Sequence, residues 1–215
     1  YQTMKHILTG LLFFLVCTLS FGQETYFSAG RNFTTYDYTN SSGESNLNVQ
    51  NSSGASYEVG YAMKINSKLG LAIGVTLNQY NATGGDFVNN YSWDTNYLGA
   101  QGVFKFNVFK ENSSRWGYNN SKFGLSLNAG LNLNHIISGQ QKINGQTYDL
   151  TNNDEFKGFY AQPMIGFDIR CQIINDIAVG LGYHYSKNFG VSNTTDQKLN
   201  FNNNQLQFNL IITLN

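Results

Sequence analysis

Apolar and polar residues alternate along most of the chain with a period of two, which is the spacing of a β-strand that has two different faces. The clearest case runs from Lys122 to Ile137, where the odd positions from Phe123 to Leu133 are Phe, Leu and Ala and the even positions are Gly, Ser and Asn. Helical periodicity is hard to find anywhere. Together with a first strand over 26–38, the alternation predicts eight strands, the others lying at 57–65, 69–77, 98–106, 122–137, 159–169, 177–185 and 206–214.

The connections between these strands alternate in length. Long polar connections, rich in Asn, Ser and Gly, are predicted at 39–56, 81–95, 138–157 and 189–203. Tight turns are predicted at 66–68 and 174–176, whereas the connection at 109–121 is longer although it lies on the short-turn side. Long loops at one end, short turns at the other and an even number of strands are typical of an up-and-down antiparallel β-barrel in an outer membrane.

The N-terminus has the composition of a signal peptide. A short polar region precedes an almost wholly apolar stretch over 7–19, and small residues follow it. The apolar stretch is shorter than the roughly 20 residues that a membrane-spanning helix needs. We therefore expect a cleaved signal peptide over 1–22, with Met4 as the start, followed by a barrel domain over 23–215. Such a signal leaves the termini in the periplasm, so the long loops are expected to face outward.

Composition decides between a membrane barrel and a soluble one, because the strands of both alternate. Only 12% of the residues are charged, and Asn alone supplies 30 of the 215 residues. A water-facing strand surface has room for Lys, Glu and Arg, whereas the lumen of an eight-stranded barrel is narrow and favours compact side chains. The polar positions of the predicted strands are mostly Gly, Ser, Asn, Gln and Ala. This favours a filled lumen inside a lipid-facing barrel.

Charge and histidine content argue against several classes of function. The 13 basic residues balance the 13 acidic ones, so no basic surface for nucleic acid is expected. The three histidines, His6, His135 and His184, are dispersed, and no carboxylate cluster lies on a single loop. Neither a metal site nor a cofactor is therefore predicted.

The signal segment, the alternating strands and the asymmetric loops together resemble the OmpA/OmpX-like superfamily of small outer-membrane β-barrels, the porin-family outer-membrane β-barrel domain. The resemblance covers nearly all of the mature chain but involves no short motif, so it implies an architecture and an outer-membrane location, not an activity. It also implies contact with membrane lipids and lipopolysaccharide, and it leaves membership of a larger outer-membrane complex open. One departure is the C-terminal sequence Thr213-Leu214-Asn215, where many such barrels end in an aromatic residue.

Aromatic residues gather where the predicted strands meet the connections, as in the interfacial girdles of membrane barrels. The predicted girdle residues are Tyr57, Trp93, Tyr97, Phe159 and Tyr185 toward the outer end, and Phe106 and Phe109 toward the inner end. The first strand contains a conflict, because Arg31 shares a face with Phe27 and Phe33 and an Arg at the bilayer midplane costs about 2–4 kcal/mol. A bulge or a different register is therefore expected there.

Six ionisable residues fall on the predicted inner face: Glu58, Lys64, Lys105, Asp168, Arg170 and His184. Because charges in a narrow lumen must be paired or hydrated, we expect a salt-bridged plug, and a path for ions or small solutes is the alternative. Two of these residues, His184 and Asp168, are together with Ser186 the residue types of a nucleophilic triad. His135 lies on the lipid-facing side near the outer rim, as in barrel enzymes that act on lipid acyl chains, but Ser138 is expected on the opposite face.

Three functions are open from the sequence. The first is a non-enzymatic role, structural or in surface interaction through the long loops, which requires no catalytic residue. The second is a narrow channel for ions or small solutes through the interior charges. The third is a lipid-modifying enzyme, a lipid hydrolase that uses His135 or His184. The filled lumen and the four long polar loops favour the first.

Overall fold

In the computed structural model of the chain, the described residues are 23–39, 49–85, 90–108, 123–152, 156–190 and 198–214. The regular secondary structure in these ranges is β-strand. No helix within them is long and apolar enough to span a membrane. The predicted signal peptide over 1–22 and the predicted girdle residue Phe109 lie outside the described residues.

Eight long strands close into an antiparallel barrel, and two short strands add to its rim. The strands are β1 (Gln23–Thr39), β2 (Val49–Lys64), β3 (Leu69–Gly85), β4 (Asn90–Asn107), β5 (Phe123–Ile143), β6 (Gln146–Asp149), β7 (Phe159–Ile174), β8 (Ile177–Lys187), β9 (Phe189–Gly190) and β10 (Lys198–Leu214). Consecutive long strands pair with each other, β5 pairs directly with β7, and β1 pairs with β10 to close the ring. The predicted eight-stranded up-and-down barrel is confirmed.

Alternate residues of each strand face opposite sides of the barrel wall. In β5, Leu127 and Leu131 are exposed on the outside, whereas Asn128 and Asn132 are buried in the lumen. The outer surface is a belt of exposed Leu, Ile, Val and Phe, and the interior is mostly Asn, Gln, Ser and Thr with a few charged and aromatic residues. This arrangement is the reverse of that in a water-soluble barrel, so the apolar belt requires a lipid environment.

Tight turns connect the strands at one end of the barrel, which we call the turn end; the opposite end is the loop end. Between β2 and β3, Oδ1 of Asn66 accepts hydrogen bonds from the backbone N–H groups of Lys68 and Leu69, both at 2.8 Å. Asn175 and Asp176 form a two-residue turn between β7 and β8. Both turns lie where the sequence predicts them.

At the loop end the strands continue into segments that the sequence predicts as loops. β3 extends to Gly85 and β4 starts at Asn90, so most of the predicted loop at 81–95 is paired strand. Paired strand also shortens the predicted loops at 39–56, 138–157 and 189–203. The apolar alternation ends in these segments because the outward-facing positions of a strand beyond the lipid are polar, although the backbone ladder continues.

β5 and β6 form a hairpin that rises above the barrel rim. Its turn is Asn144-Gly145, where both residues have a positive φ, of 49° and 85°, as in the tight type I′ turn that Asn-Gly favours. The hairpin ends at Asp149, whose carboxylate accepts hydrogen bonds from the hydroxyl and the backbone N–H of Thr151. These bonds, the hydroxyl first, hold the pKa of Asp149 below its usual value.

The position of Arg31 along the barrel, and not the expected bulge or register change, resolves the conflict that the sequence showed for this residue. β1 pairs with both neighbours without a register shift, and Arg31 points outward. Arg31 pairs with Leu206, but the next outward-facing pair toward the loop end is Phe33 with the polar Asn204. The guanidinium donates a hydrogen bond to Ser53 Oγ at 3.0 Å. Arg31 therefore lies at the edge of the apolar belt, where a charge costs only about 0–1 kcal/mol.

Candidate functional site: the barrel interior

Inward-facing side chains fill the lumen in three zones. An aromatic cluster occupies the loop end, a layer of amide and hydroxyl side chains follows it, and a charged network lies toward the turn end. The aromatic cluster consists of Tyr36, Tyr80, Ala82, Trp93, Tyr97, Ile136, Leu150, Phe156, Tyr160 and Phe201. Each zone depends on the same local rule, because every second residue of a strand points into the lumen.

The aromatic cluster closes the loop end of the lumen. The ring of Trp93 packs edge-on against Tyr36 and Phe156, with centroid distances of 5.2 and 5.6 Å, and Tyr97 packs edge-on against Tyr160 at 5.8 Å. Edge-to-face packing at these distances is the preferred geometry of aromatic pairs. Leu150 and Phe156, which follow β6 along the chain, are both only 1% exposed and pack into the same cluster.

The burial of Trp93 and Tyr97 corrects their prediction as girdle residues. Both are buried in the lumen, 9% and 1% exposed, and do not face lipid. The reason is the period of two, because Leu98 and Phe104 on the same strand point outward and the odd positions of that strand therefore point inward. The other described girdle residues are exposed at outward-facing positions, namely Tyr57, Phe106, Phe159 and Tyr185. Their girdle role stays a prediction.

The amide layer lies directly below the aromatic cluster and is joined to it. The hydroxyl of Tyr80 and Nδ2 of Asn134 both donate to Oε1 of Gln162 at 2.9 Å, and Nε2 of Gln162 donates to Ser186 Oγ at 3.0 Å. On the other side of the lumen, Asn32 Nδ2 donates to Asn78 Oδ1 at 3.2 Å, and Asn32 Oδ1 accepts a hydrogen bond from Asn203 Nδ2 at 3.0 Å. Side chains from opposite walls thus meet across the centre and leave little free bore.

Asp168 is the centre of the charged network. Its Oδ2 lies 3.2 Å from Lys105 Nζ and accepts a hydrogen bond from Asn128 Nδ2 at 2.8 Å, while its Oδ1 lies 3.3 Å from His184 Nε2. Glu58, on the opposite wall, accepts hydrogen bonds from neighbours of its own: the hydroxyl of Tyr26 at 2.5 Å and Nε2 of Gln101 at 2.9 Å.

The structure groups the six predicted interior ionisable residues unevenly. Lys105, Asp168 and His184 come together, with Glu58 close by. Arg170 is separate, because its Nη1 donates to both carboxylate oxygens of Glu24 at 2.7 and 2.9 Å near the turn end. Lys64 is exposed at the end of β2 and lines the same cavity.

Sequence reasoning missed Glu24 and the uncharged members of the charged network. Tyr26, Gln101 and Asn128 are all bonded to its carboxylates, and Glu24 pairs with Arg170. The signal that could have found them was present, because each lies at an inward-facing position of the same alternation that identified the charged residues.

A cavity of about 110 Å³ opens into the charged network from the turn end. Glu24, Lys64 and Arg170 lie around its mouth, and Glu58, Asn128 and His184 lie deeper. The amide layer and the aromatic cluster lie between this cavity and the loop end. The cavity is therefore a blind pouch that is reached from one side of the barrel.

The structure does not assemble a nucleophilic triad from Ser186, His184 and Asp168. The histidine and the aspartate are adjacent, but the hydroxyl of Ser186 accepts its hydrogen bond from Gln162. A nucleophile and its base must lie within hydrogen-bond reach of each other. Among the described residues, His184 Nδ1 has no hydrogen-bond partner.

The position of Ser138 corrects a second expectation. A register shift in the pairing of β4 with β5 leaves Ile137 without a partner, so that Ser138 is exposed on the same outer face as His135 and not on the opposite one. His135 Nδ1 lies 2.9 Å from the carbonyl oxygen of Gly158, and Ser138 Oγ accepts a hydrogen bond from Asn96 at 3.0 Å. A β-bulge of this kind reorients the residues that follow it.

Comparisons with known proteins show the fold. The chain is similar to the crystal structure of neisserial surface protein A (NspA), with 15% identity and a TM-score of 0.52 over 88% of this chain and 96% of that one. It is also similar to the outer membrane protein OprG from Pseudomonas aeruginosa, with 8% identity and a TM-score of 0.54 over 90% and 96% of the two chains. No family model and no curated protein sequence matches the chain.

These similarities agree with the geometry described above. A closed barrel of eight strands, a polar filled lumen and an apolar outer belt are the features of proteins that span a bacterial outer membrane with β-strands. The chain is an outer-membrane β-barrel with the fold of the small eight-stranded, OmpA/OmpX-like barrels.

Proposed function

We propose that this protein is a sealed, non-enzymatic outer-membrane barrel that acts through contacts at its loop-end surface. The aromatic cluster is the observation that carries the proposal. Its members, Leu150 and Phe156 among them, are all 9% exposed or less. A lumen filled in this way favours stability over passage, so the surface left to meet a partner is the rim at the loop end.

The shape of the loop end supports a role in contact. Paired strands extend beyond the apolar belt, and the hairpin of β5 and β6 carries exposed side chains such as Tyr148, 48% exposed. A surface held by a backbone ladder is ordered before binding, which lowers the entropy cost of association. Around the belt we propose membrane lipids and lipopolysaccharide as partners, with Arg31 at the level of the headgroups.

Planar-bilayer recording separates a sealed barrel from a channel. We expect the purified wild-type protein to show no unitary conductance, because the aromatic cluster interrupts any path through the lumen. The triple variant Tyr97→Ala, Tyr160→Ala and Gln162→Ala removes two of the largest buried rings and the bridging amide of the layer below them, and it should produce conductance events. The exposed Tyr148→Ala is the matched control. Regular channel openings in the wild type would contradict the proposal.

Replacing the hairpin tests the role of the loop-end surface. In the variant, 143–149 are exchanged for a two-residue Asn-Gly turn, and heat-modifiable migration on a gel reports folding. We expect the variant to fold but to fail to restore the surface phenotypes of a deletion strain, such as adhesion and autoaggregation. The control variant Gly102→Ala, in which the added Cβ meets nothing within 4 Å, should restore them. Full restoration by the hairpin-less variant would contradict a role for this surface.

One observation favours a second candidate, a hydrolase of outer-leaflet lipids. The β-bulge places Ser138 on the same outer face as His135, and the contact of Nδ1 with the Gly158 carbonyl leaves Nε2 of the ring available as a base. The described residues show no hydrogen bond between the serine and the histidine, which is why this candidate ranks second. Ser138→Ala and His135→Ala would each change the outer-membrane lipid profile in mass spectrometry if it is correct, and would leave that profile untouched if the barrel is non-enzymatic.

A further inference from the structure

The wall of the turn-end cavity contains buried polar atoms that lack a hydrogen-bond partner among the described residues. They are Ser28 Oγ, Asn128 Oδ1, His184 Nδ1 and Asn209 Oδ1. Each of these residues is at most 4% exposed. Asn128 and Asn209 donate through their amide nitrogens to Asp168, so their free oxygens can only accept. Because buried polar groups are normally satisfied, the cavity lacks a hydrogen-bond donor.

The charges around the cavity point to a cation. Asp168 is paired with Lys105, but among the described residues no cation lies within ion-pair distance of Glu58. Both hydrogen bonds to Glu58 are accepted by Oε1, which leaves Oε2 for the cavity. The charged residues that line the whole cavity balance, three acidic against three basic, but Lys105 pairs with Asp168 and Arg170 pairs with Glu24. The ionised Glu58 carboxylate therefore lies in the deep part of the cavity without a cation at ion-pair distance among the described residues, and a buried charge requires a counter-charge.

Toward the turn end, part of the cavity lining is apolar. Ala62, Ala72, Val103 and Ile211 form it and belong to a small cluster with the ring of Tyr26. A cavity of about 150 Å³ with such walls holds a benzene molecule. The present cavity, at about 110 Å³, therefore suits an occupant of about four or five non-hydrogen atoms. The occupant must combine a donor-rich cationic end with an apolar end.

We propose that this cavity binds a short primary alkylammonium ion. The ammonium group supplies three N–H donors and one positive charge to the free acceptors near Glu58, Asn128 and Asn209, and the alkyl chain packs against Ala72 and Val103. A metal ion fits less well, because the described residues contain no group of three His, Cys, Asp or Glu that could hold one. The ion enters and leaves by the turn end, since the aromatic cluster closes the loop end.

Titration with propylammonium chloride tests the proposal. The protein is refolded in detergent micelles at low ionic strength, and saturation-transfer NMR follows the methyl signal of the propyl group. We expect saturable binding of propylammonium and no saturable binding of 1-propanol, which has the same alkyl chain without the charge. Glu58→Gln should weaken propylammonium binding by more than about tenfold, because it removes the unpaired carboxylate. Ala62→Leu, which fills the apolar wall, should weaken it without removing a charge.

The control variant is Asp149→Asn, which removes a carboxylate from the exposed hairpin at the other end of the barrel. It should bind propylammonium as the wild type does, and heat-modifiable migration verifies that each variant is folded. Absence of saturable binding to the wild type overturns the proposal, as does equal binding by folded Glu58→Gln or displacement by sodium at equal concentration. If Glu58→Gln does not fold, Ala62→Leu decides. None of these results bears on the contact role of the loop-end surface.

Discussion

At the residue scale, the interior is organised around a few carboxylates that bond to side chains from other strands. Asp168 is the clearest case, with Lys105, Asn128 and His184 all within 3.3 Å of its oxygens. Gly182 provides the space, because a Cβ there would lie 2.3 Å from Asp168 Oδ1. A carboxylate in a narrow lumen is therefore tolerated when its strand neighbours supply both donors and room.

Removing the Asp168 carboxylate should destabilise the barrel. Asp168→Ala leaves Lys105 and Asn128 without their buried acceptor, so we expect the free energy of unfolding to fall by about 3 kcal/mol. Urea titration in lipid vesicles, followed by heat-modifiable migration, measures the loss. Asp94→Ala is the matched control, since Asp94 is exposed on the outer face, and it should change stability by less than about 0.5 kcal/mol. Equal losses for the two variants would contradict the central role of Asp168.

At the element scale, the seam between β1 and β10 closes the barrel and joins the two ends of the described chain. Its register runs without a shift from Gln23 with Leu214 to Thr39 with Lys198. Gly30 lies in the middle of the seam, where a Cβ would come within 2.2 Å of the backbone oxygen of Leu206. Close backbone approach at this position therefore depends on the absence of a side chain.

The seam gives a prediction about glycine. Gly30→Ala should lower the free energy of unfolding by about 2 kcal/mol, because the obstacle is backbone and cannot move away cheaply. Gly102→Ala is the matched control, since a Cβ there meets nothing within 4 Å, and it should be close to neutral. Unfolding in urea compares the two variants under the same conditions. A neutral Gly30→Ala would show that the seam can relax to accept a methyl group.

At the scale of the whole molecule, the apolar belt sets the depth of the barrel in the membrane and explains the tolerated charge at Arg31. Outward-facing residues of β5 are apolar around Leu127, whereas those of β10 become polar at Asn204. The cost of a lipid-facing Arg depends on depth and falls toward either interface. The outward-facing residues therefore show where the apolar belt lies and where it ends.

Arginine substitution at two depths tests this placement. Leu127→Arg lies near the centre of the belt and should cost about 2–4 kcal/mol, while Asn204→Arg lies at its edge and should cost about 0–1 kcal/mol. Refolding and unfolding in lipid vesicles measures both, and both side chains are on the outside, so packing in the lumen is unaffected. Equal costs would mean that the belt is misplaced along the barrel.

The barrel architecture and the number of strands were predicted correctly, because both depend on local alternation, which needs no knowledge of the partner strands. The extent of the strands was not predicted, because the outward-facing positions of 81–95 are polar and the segment therefore lacks the apolar alternation of a lipid-facing strand, although most of it is paired strand in the structure. Trp93 and Tyr97 were assigned to the lipid side because aromatic residues near strand ends suggested a girdle. Leu98 on the same strand faces lipid, and residues an odd number of positions apart on a strand face opposite sides, so this spacing would have placed Trp93 and Tyr97 in the lumen.

The sequence by itself determined which residues face lipid and which face the lumen over most of the barrel, because successive side chains of a strand point to opposite sides wherever the strand lies. Only the tertiary structure decided which inward side chains meet: Arg170 with Glu24, 146 positions apart, or Lys105 with Asp168, 63 positions apart. It also decided that Ser138 turns outward after an unpaired residue. These outcomes depend on the tilt and stagger of the closed strands, which no local pattern encodes.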